Sequence, residues 1–210
     1  ASYGDIDGLQ NTIDDDTAFI ILEPIQGESG IHVPPDGFLQ KVRKICDENE
    51  ILLIFDEIQS GLGRTGRMWA SEHWETSPDI LCLAKGIAGG VPMGATLVRP
   101  DILSVMNKGE HSSTFGGNPL SCSAGTATIQ ALTQDGLIDN AEKMGQQFRQ
   151  GLDTLKSKHN IIREVRGKGL MIGIELKFEV KDILLEGIKK GVLLLLSLIH
   201  ISEPTRLLSI

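Results

Sequence analysis

The run Ile51-Leu-Leu-Ile-Phe-Asp-Glu57 gives the clearest indication of the fold. Five consecutive apolar residues predict a strand that is buried on both faces, and the acidic pair marks its carboxyl end. Ala18–Leu22 and Ile80–Ala84 are similar apolar runs, and Phe38–Asn49 between them has the spacing of an amphipathic helix. Buried strands that alternate with helices predict an α/β fold, a mostly parallel sheet with helices on both faces.

The second half of the chain has a different pattern. Two long helical patterns are followed by two short strand patterns, at residues 120–132, 137–155, 161–165 and 170–176. We therefore expect residues 1–150 to form part of a large α/β domain and residues 151–195 to begin a smaller α+β C-terminal domain.

An ionisable residue directly follows each of the three predicted strands. These residues are Glu23, Asp56 and Lys85. Ligands of open α/β sheets bind just beyond the carboxyl ends of the strands, so this pattern is the first functional signal.

Composition narrows the class of protein. The 210 residues include 20 Lys and Arg against 28 Asp and Glu, a formal charge of −8, which disfavours a nucleic-acid partner. The three cysteines are odd in number and widely spaced, and the five histidines show no metal-ligand spacing, so we expect neither disulfides nor a metal site. No signal peptide or apolar run long enough to cross a membrane is visible, which favours a cytoplasmic protein without a membrane partner.

Lys85 and Asp56 together suggest cofactor chemistry. A lysine directly after a buried strand faces a partly desolvated site, where its amine is a better nucleophile. A carboxylate at the neighbouring strand end needs a cationic partner, and a protonated pyridine nitrogen is one. Pyridoxal phosphate needs both groups. A purely structural ion pair between Asp56 and Lys85 is the simpler alternative.

Several longer motifs make a resemblance specific. They occur in the order seen in class III aminotransferases, which are pyridoxal-phosphate enzymes of fold type I: Glu23-Pro-Ile-Gln-Gly-Glu28, Phe55-Asp-Glu-Ile-Gln-Ser-Gly-Leu-Gly-Arg-Thr-Gly66, Leu83-Ala-Lys-Gly86, Ser112-Ser-Thr-Phe-Gly-Gly-Asn-Pro119 and Val165-Arg-Gly-Lys-Gly-Leu170. The resemblance runs almost continuously from Ala18 to about Leu195. Within the class, the chain resembles acetylornithine aminotransferases and their lysine-pathway relatives, with ornithine aminotransferases close by.

The resemblance implies roles for several residues around the cofactor. Lys85 is expected to bond to the cofactor aldehyde and then to move the proton between substrate and cofactor. Asp56 is expected to keep the pyridine nitrogen protonated. Its neighbours Glu57, Ile58 and Gln59 are also expected in the cofactor site, with Ile58 on the ring face and Gln59 on the phenolic oxygen.

Other residues are implied in substrate binding and assembly. Thr114 is expected to bind the cofactor phosphate of a partner subunit, which makes the active unit a homodimer. Ser113 is expected near the substrate. Glu28 resembles the glutamate that pairs with a C-terminal arginine to switch between the two substrates.

The implied reaction transfers the terminal amino group of acetylornithine, or of carrier-linked lysine or ornithine, to 2-oxoglutarate, giving a semialdehyde and glutamate. The donor is a small molecule or is presented by an amino-group carrier protein. Ornithine or another class III ω-amino substrate is the main alternative. More distant alternatives are a dinucleotide-binding oxidoreductase, since Gly61-Leu-Gly-Arg-Thr-Gly66 matches GxGxxG, and a non-catalytic dimer scaffold.

Two family segments are not found in the sequence. They are the N-terminal glycine-containing phosphate loop with its ring-stacking aromatic residue, and the C-terminal segment that receives the α-carboxylate. In addition, residues 196–210 resemble the in-frame translation of a transposon-type sequencing adapter. We therefore expect an internal fragment of an enzyme roughly twice as long, and a chain that is inactive alone.

Overall fold

The computed structural model describes residues 1–107, 109–110, 113–196 and 207–209. Its helices, including two short 3₁₀ segments, are α1 (Ile6–Gln10), α2 (Phe38–Glu48), 3₁₀ Ala70–Trp74, 3₁₀ Lys85–Ala88, α3 (Pro100–Leu103), α4 (Pro119–Gln134), α5 (Leu137–Lys158) and α6 (Lys181–Lys189). The long helices α2, α4 and α5 lie where the apolar spacing predicts them. Gly136 separates α4 from α5 because its φ of 69° leaves the helical region.

The first sheet contains the three predicted apolar strands. These are β1 (Phe19–Leu22), β2 (Leu52–Asp56) and β3 (Ile80–Leu83), which pair in parallel, followed by the antiparallel edge strand β4 (Ala95–Val98). The order is β1-β2-β3-β4. The prediction of a mostly parallel sheet is confirmed.

The two faces of this sheet differ in their cover. On one face Leu53 and Phe55 are fully buried against the apolar side of α2, including Leu39. On the other face Phe19 and Ile21 remain 51% and 55% exposed. The strands are apolar throughout, as in sheets covered on both sides, but the described residues cover one face far better than the other.

The second sheet lies in the C-terminal part of the chain. It consists of β5 (Ile162–Lys168), β6 (Met171–Leu176), β7 (Leu195–Leu196) and β8 (Leu207–Ser209), in the antiparallel order β5-β6-β8-β7. Most of the segment 196–210 lies outside the described residues, so its interpretation as adapter read-through stays a prediction.

The predicted domain boundary near residue 150 falls inside α5, which is one continuous helix. In its first half, Glu142 lies directly against Gly66 of the loop that follows β2. In its second half, Leu152 packs in the cluster that contains Ile172 and Ile174. The change from one unit to the next is therefore not a break in the chain, and α5 contributes to both.

The glycine-rich loop after β2 is used for packing. Gly66 has a φ of 85°, and a side chain there would collide with Glu142 of α5. A side chain at Gly63 would press on Ile138. The next helical turn begins only at Ala70, so no helix N-terminus is available at the third glycine for a pyrophosphate. The dinucleotide-binding alternative is therefore wrong.

Candidate active site

The three ionisable residues at the strand ends converge at the carboxyl edge of the first sheet. Burial raises the pKa of Glu23, while the hydrogen bond from Gly27 N to its Oε2 (2.9 Å) opposes this shift. The negative charge of Asp56 raises the pKa further, and the positive charge of Lys85 lowers it. The three groups therefore interact electrostatically across one edge, as the parallel strands predict.

Lys85 occupies an unusual backbone position. It follows β3 and Ala84 and opens a 3₁₀ turn, with a left-handed φ of 47°. This region is uncommon for a residue with a side chain, and such strain concentrates at functional sites. The exposed side chain lies at a cleft of about 570 Å³, here called the Lys85 cleft, which is also lined by Glu28, Ile58, Gln59, Thr128 and Met171.

Asp56 lies at the same edge but faces a neighbouring hollow. It is the last residue of β2, and its Oδ1 accepts a hydrogen bond from Ile58 N (2.9 Å). The hollow measures about 460 Å³ and is lined also by Tyr3, Glu23 and Gln26. Among the ion pairs of the described residues, none joins Asp56 to Lys85, so the simple structural pair is not formed.

Gln59 is held at the boundary between β2 and the loop that follows β1. Its side chain lies directly against Gly27, where any side chain would collide with the Gln59 amide oxygen. Gly27 also donates its N–H to Glu23. A glycine at this position therefore lets Glu23 and Gln59 approach the same stretch of backbone.

Glu57 differs from its neighbours in the predicted cofactor site. Its side chain is fully buried and accepts hydrogen bonds from Ala70 N (2.6 Å), Ser71 N (2.9 Å) and Ser60 Oγ (3.3 Å). Burial raises its pKa, and the backbone hydrogen bonds act in the opposite direction. The structure thus corrects this expectation: the Glu57 carboxylate holds the loop 57–71 in place and has no surface toward a ligand.

Ser113 and Thr114 are not brought to the Lys85 cleft of their own chain. Both are exposed in a turn before α4, where Ser113 O accepts a hydrogen bond from Gly116 N (3.1 Å). Asn118 caps the helix by accepting from Ser121 N (3.0 Å). Phe115 in this turn is 79% exposed.

Some residues of the cleft carry no signal in the sequence. Thr128 of α4 and Met171 of β6 reach it from elements far along the chain. Ile31 also lines the cleft, although its side chain is almost fully buried and its φ is 58°. Such a φ is strained for a β-branched residue and could be found only from the structure.

The donor set fits pyridoxal phosphate. Lys85 offers a primary amine, Asp56 a carboxylate for a protonated ring nitrogen, Gln59 an amide for the phenolic oxygen, and Ile58 an apolar surface. All four belong to one edge of one sheet.

A parallel α/β sheet with a lysine and a carboxylate at adjoining strand ends is typical of α/β transferases that use pyridoxal phosphate. The family model described as "Aminotransferase class-III" matches residues 3–204. The chain belongs to the class III aminotransferase family, a family of enzymes.

Individual relatives agree with this family. The acetylornithine aminotransferase of Caldanaerobacter subterraneus subsp. tengcongensis is 48% identical over 191 residues, covering 90% of this chain and 48% of its own. Ornithine aminotransferase 1 of Staphylococcus saprophyticus is 47% identical over 194 residues, covering 92% and 49%. The chain thus spans about half the length of the curated relatives it matches.

A solved structure has the same fold. The ornithine aminotransferase from Toxoplasma gondii, described with partial occupancy of PLP at its active site, matches with a TM-score of 0.90 and 38% identity. The match covers 100% of this chain and 49% of that one. The α/β fold predicted from the sequence is confirmed. None of the helices among the described residues combines the length and the apolar character needed to cross a bilayer.

Proposed function

We propose that the protein is a pyridoxal-phosphate-dependent aminotransferase that moves the terminal amino group of acetylornithine, or of carrier-linked lysine or ornithine, to 2-oxoglutarate. The products are a semialdehyde and glutamate. The observation that carries this proposal is the placement of Lys85: a strained, exposed lysine in a cleft with Ile58 and Gln59, next to the strand end that bears Asp56.

The residues at the carboxyl edge of the first sheet have separate proposed roles. Pyridoxal phosphate, when bound, supplies an electron sink that stabilises negative charge at the substrate carbon. Lys85 holds the cofactor covalently and then acts as the base and acid that moves a proton at that carbon. Asp56 keeps a proton on the ring nitrogen, Ile58 supports the ring face, and Gln59 donates a hydrogen bond to the phenolic oxygen.

Glu28 is proposed to discriminate between the two substrates. Its side chain lines the same cleft as Lys85. A carboxylate there attracts a cationic amino donor and repels the distal carboxylate of 2-oxoglutarate, unless a cationic partner neutralises it. The alternation between these two conditions is the proposed basis of switching.

The position of Thr114 supports the proposed homodimer. Thr114 lies in an exposed turn outside the cleft of its own chain, beside the 79% exposed Phe115 and the 71% exposed Leu120. Apolar residues clustered near a polar turn suit a subunit interface. We propose that Thr114 reaches the cofactor phosphate of the partner subunit and that Ser113 lies close to the substrate there.

A second candidate is an ornithine or other class III ω-aminotransferase. It is favoured by the ornithine aminotransferases among the relatives, whose identities equal those of the acetylornithine enzymes within a few per cent. The cytoplasm, the use of an amino-group carrier protein, and the division into a large domain (1–150) and a smaller one (151–195) remain part of the proposal.

The decisive experiment maps the cofactor and compares donors. Borohydride reduction of the complete protein that contains these residues, followed by peptide mapping, is expected to place the pyridoxyl group on Lys85. Acetylornithine, ornithine and carrier-linked lysine are then compared for glutamate production from 2-oxoglutarate. Labelling of a peptide without Lys85 contradicts the site, and the absence of any transamination favours the scaffold alternative.

A further inference from the structure

The loop that carries Glu28 is closed at its base. Gln26 and His32 form an antiparallel backbone bridge, with hydrogen bonds of 3.0 Å in both directions. Within the loop, Gly30 N donates to Gly27 O (3.0 Å). The segment 26–32, here called the Glu28 loop, is therefore one compact unit, and a displacement of its tip displaces Glu28.

Arg166 of β5 holds the tip of this loop from a distant part of the chain. Its Nε donates a hydrogen bond to Gly30 O (2.9 Å), across 136 residues of sequence. The Arg166 side chain is only 10% exposed and also pairs with Glu175 Oε2 (2.9 Å) and with Glu164. Its guanidinium thus bridges the loop to the second sheet.

The strand β6 supports the same contact. Gly173 lies so close to the loop that an added Cβ would be 3.0 Å from Gly30 O and 3.1 Å from Ile31 Cβ. Ile31 has a left-handed φ of 58°, a conformation that persists only when surrounding structure holds it. Contact with Gly173 and Arg166 provides that support.

Glu175 holds the guanidinium of Arg166 in place through an ion pair. Burial opposes its ionisation, but hydrogen bonds from Arg166 and Arg163 hold the pKa of Glu175 below its usual value. Arg163 Nη1 donates to Glu175 Oε1 (2.9 Å). Arg163 and Arg166 both donate to the carboxylate of Glu175 on β6, and Arg166 in addition donates to Gly30 in the Glu28 loop.

We infer that Arg166 is a positioning residue that sets the place of Glu28 in the Lys85 cleft, and thereby the balance between the two half-reactions, through its bond to Gly30 and the close packing of Gly173. This inference rests on the proposed function of Glu28. It assigns to the arginine of the Val165-Arg-Gly-Lys-Gly-Leu170 motif a role in specificity.

Hydrogen exchange tests the contact without reference to activity. In the complete, cofactor-loaded protein, Arg166→Met is expected to speed amide exchange in the peptide that covers residues 26–32 by about three- to tenfold, the effect of one lost hydrogen bond. Arg163→Met is the matched control, since it removes a partner of Glu175 and leaves the bond to Gly30. Equal exchange in both variants overturns the inference.

The two half-reactions test the consequence. Their rates are measured separately, with the amino donor and with 2-oxoglutarate. Arg166→Met is expected to change their ratio by about three- to tenfold in the same direction as Glu28→Gln, and to change it less than about twofold when Glu28→Gln is already present. A change in both rates by one factor, in either background, shows a purely structural role and overturns the inference.

A conservative variant isolates the bond to Gly30. Arg166→Lys keeps the charge near Glu175 but lacks the planar fork that reaches two partners. It is expected to resemble Arg166→Met in the amide exchange of residues 26–32 and in the ratio of the two half-reaction rates. Exchange and a rate ratio equal to those of the wild type overturn the inference. If the unmodified protein transaminates no donor, the proposed function fails instead, while the exchange experiment still reports on the contact.

Discussion

The two edges of the first sheet both carry ionisable residues next to apolar strands, yet they use them differently. At the amino edge, Asp79 precedes β3 and is only 3% exposed. Its carboxylate accepts hydrogen bonds from Arg43 Nη1 (2.8 Å), Arg99 Nη1 (2.5 Å) and Leu53 N (2.7 Å). These groups satisfy one another within the fold.

At the carboxyl edge the ionisable side chains line two open cavities. Glu23 and Asp56 border one hollow, and Lys85 borders the adjoining cleft. Within the described part of the chain, the hydrogen bond to the Asp56 side chain comes from the backbone N–H of Ile58. Because the fold does not pair these three charges in ion pairs with one another, they are available to a ligand. Unpaired charges at a strand end lower the stability of the fold, and such an arrangement is typical of a functional site.

The comparison shows that strand direction matters as much as residue type. Asp79 and Asp56 each adjoin an apolar strand, so residue type and neighbouring residues alone do not distinguish a structural aspartate from a ligand-binding one. Only Asp56 lies at the end of a parallel strand where ligands bind. The predictions below test whether residues at the carboxyl edge determine turnover while Asp79 at the amino edge determines the stability of the fold.

The largest effect is expected from Lys85→Ala in the complete protein. Loss of the amine removes both the covalent hold on the cofactor and the proton transfer, so turnover should fall by at least about 10⁴-fold. Because the side chain is exposed, the melting temperature of the cofactor-free protein should change little. Steady-state assays with 2-oxoglutarate measure the effect, and Lys41→Ala, at an exposed position of α2, is the control. Turnover within tenfold of the wild type contradicts the role of Lys85.

A smaller loss of turnover is expected from Asp56→Asn. The amide oxygen can still accept from Ile58 N, so the strand end is retained while the negative charge is lost. Without that charge the ring nitrogen is not held protonated, and turnover should fall by about 10²- to 10³-fold. The assay is the same, with Asp47→Asn on α2 as the control. Near-normal turnover would show that Asp56 acts like Asp79, as a structural group.

Much of this contrast can be predicted from the sequence. The uninterrupted apolar runs at β1, β2 and β3 predict buried parallel strands, because nothing in them alternates with period two. The convergence of Glu23, Asp56 and Lys85 follows from parallel strand ends alone. The amphipathic spacing of Phe38 to Cys46 likewise predicts the helix that covers Leu53 and Phe55.

Other features depend on contacts between distant segments. Glu57 has the same sequence context as Asp56, but its side chain turns inward to meet the backbone of Ala70 and Ser71. The glycines of the loop after β2 resemble a dinucleotide motif until α5 is placed against them. The bond from Arg166 to Gly30 joins two motifs that the sequence presents as independent.

Removal of the carboxylate at the amino edge is expected to reduce stability without changing chemistry. Asp79→Ala leaves Leu53 N and the half-buried Arg43 without their shared acceptor, and the free energy of unfolding should fall by about 2–4 kcal/mol. Urea unfolding measures this change. Asp101→Asn, which removes an exposed partner of Arg99, should leave the unfolding midpoint unchanged. A large fall in turnover per folded molecule for Asp79→Ala would remove the distinction between the two edges.

The smallest effect concerns the pH dependence of stability at the carboxyl edge, tested with Glu23→Gln. Burial raises the pKa of Glu23 in the folded state, so the folded protein binds more protons than the unfolded chain between the two pKa values. Stability from this group is therefore complete below the usual glutamate pKa and is lost as the pH rises through the raised value.

The glutamine keeps an oxygen that can accept from Gly27 N but has no charge to desolvate. We expect Glu23→Gln to gain stability relative to the wild type at pH 8, with the difference shrinking toward pH 4. Urea unfolding across this range measures the difference, and Glu48→Gln on the exposed end of α2 is the control. A difference that grows on acidification would mean that the nearby positive charge of Lys85 outweighs burial, and that the carboxyl edge pairs its charges internally, as the amino edge does.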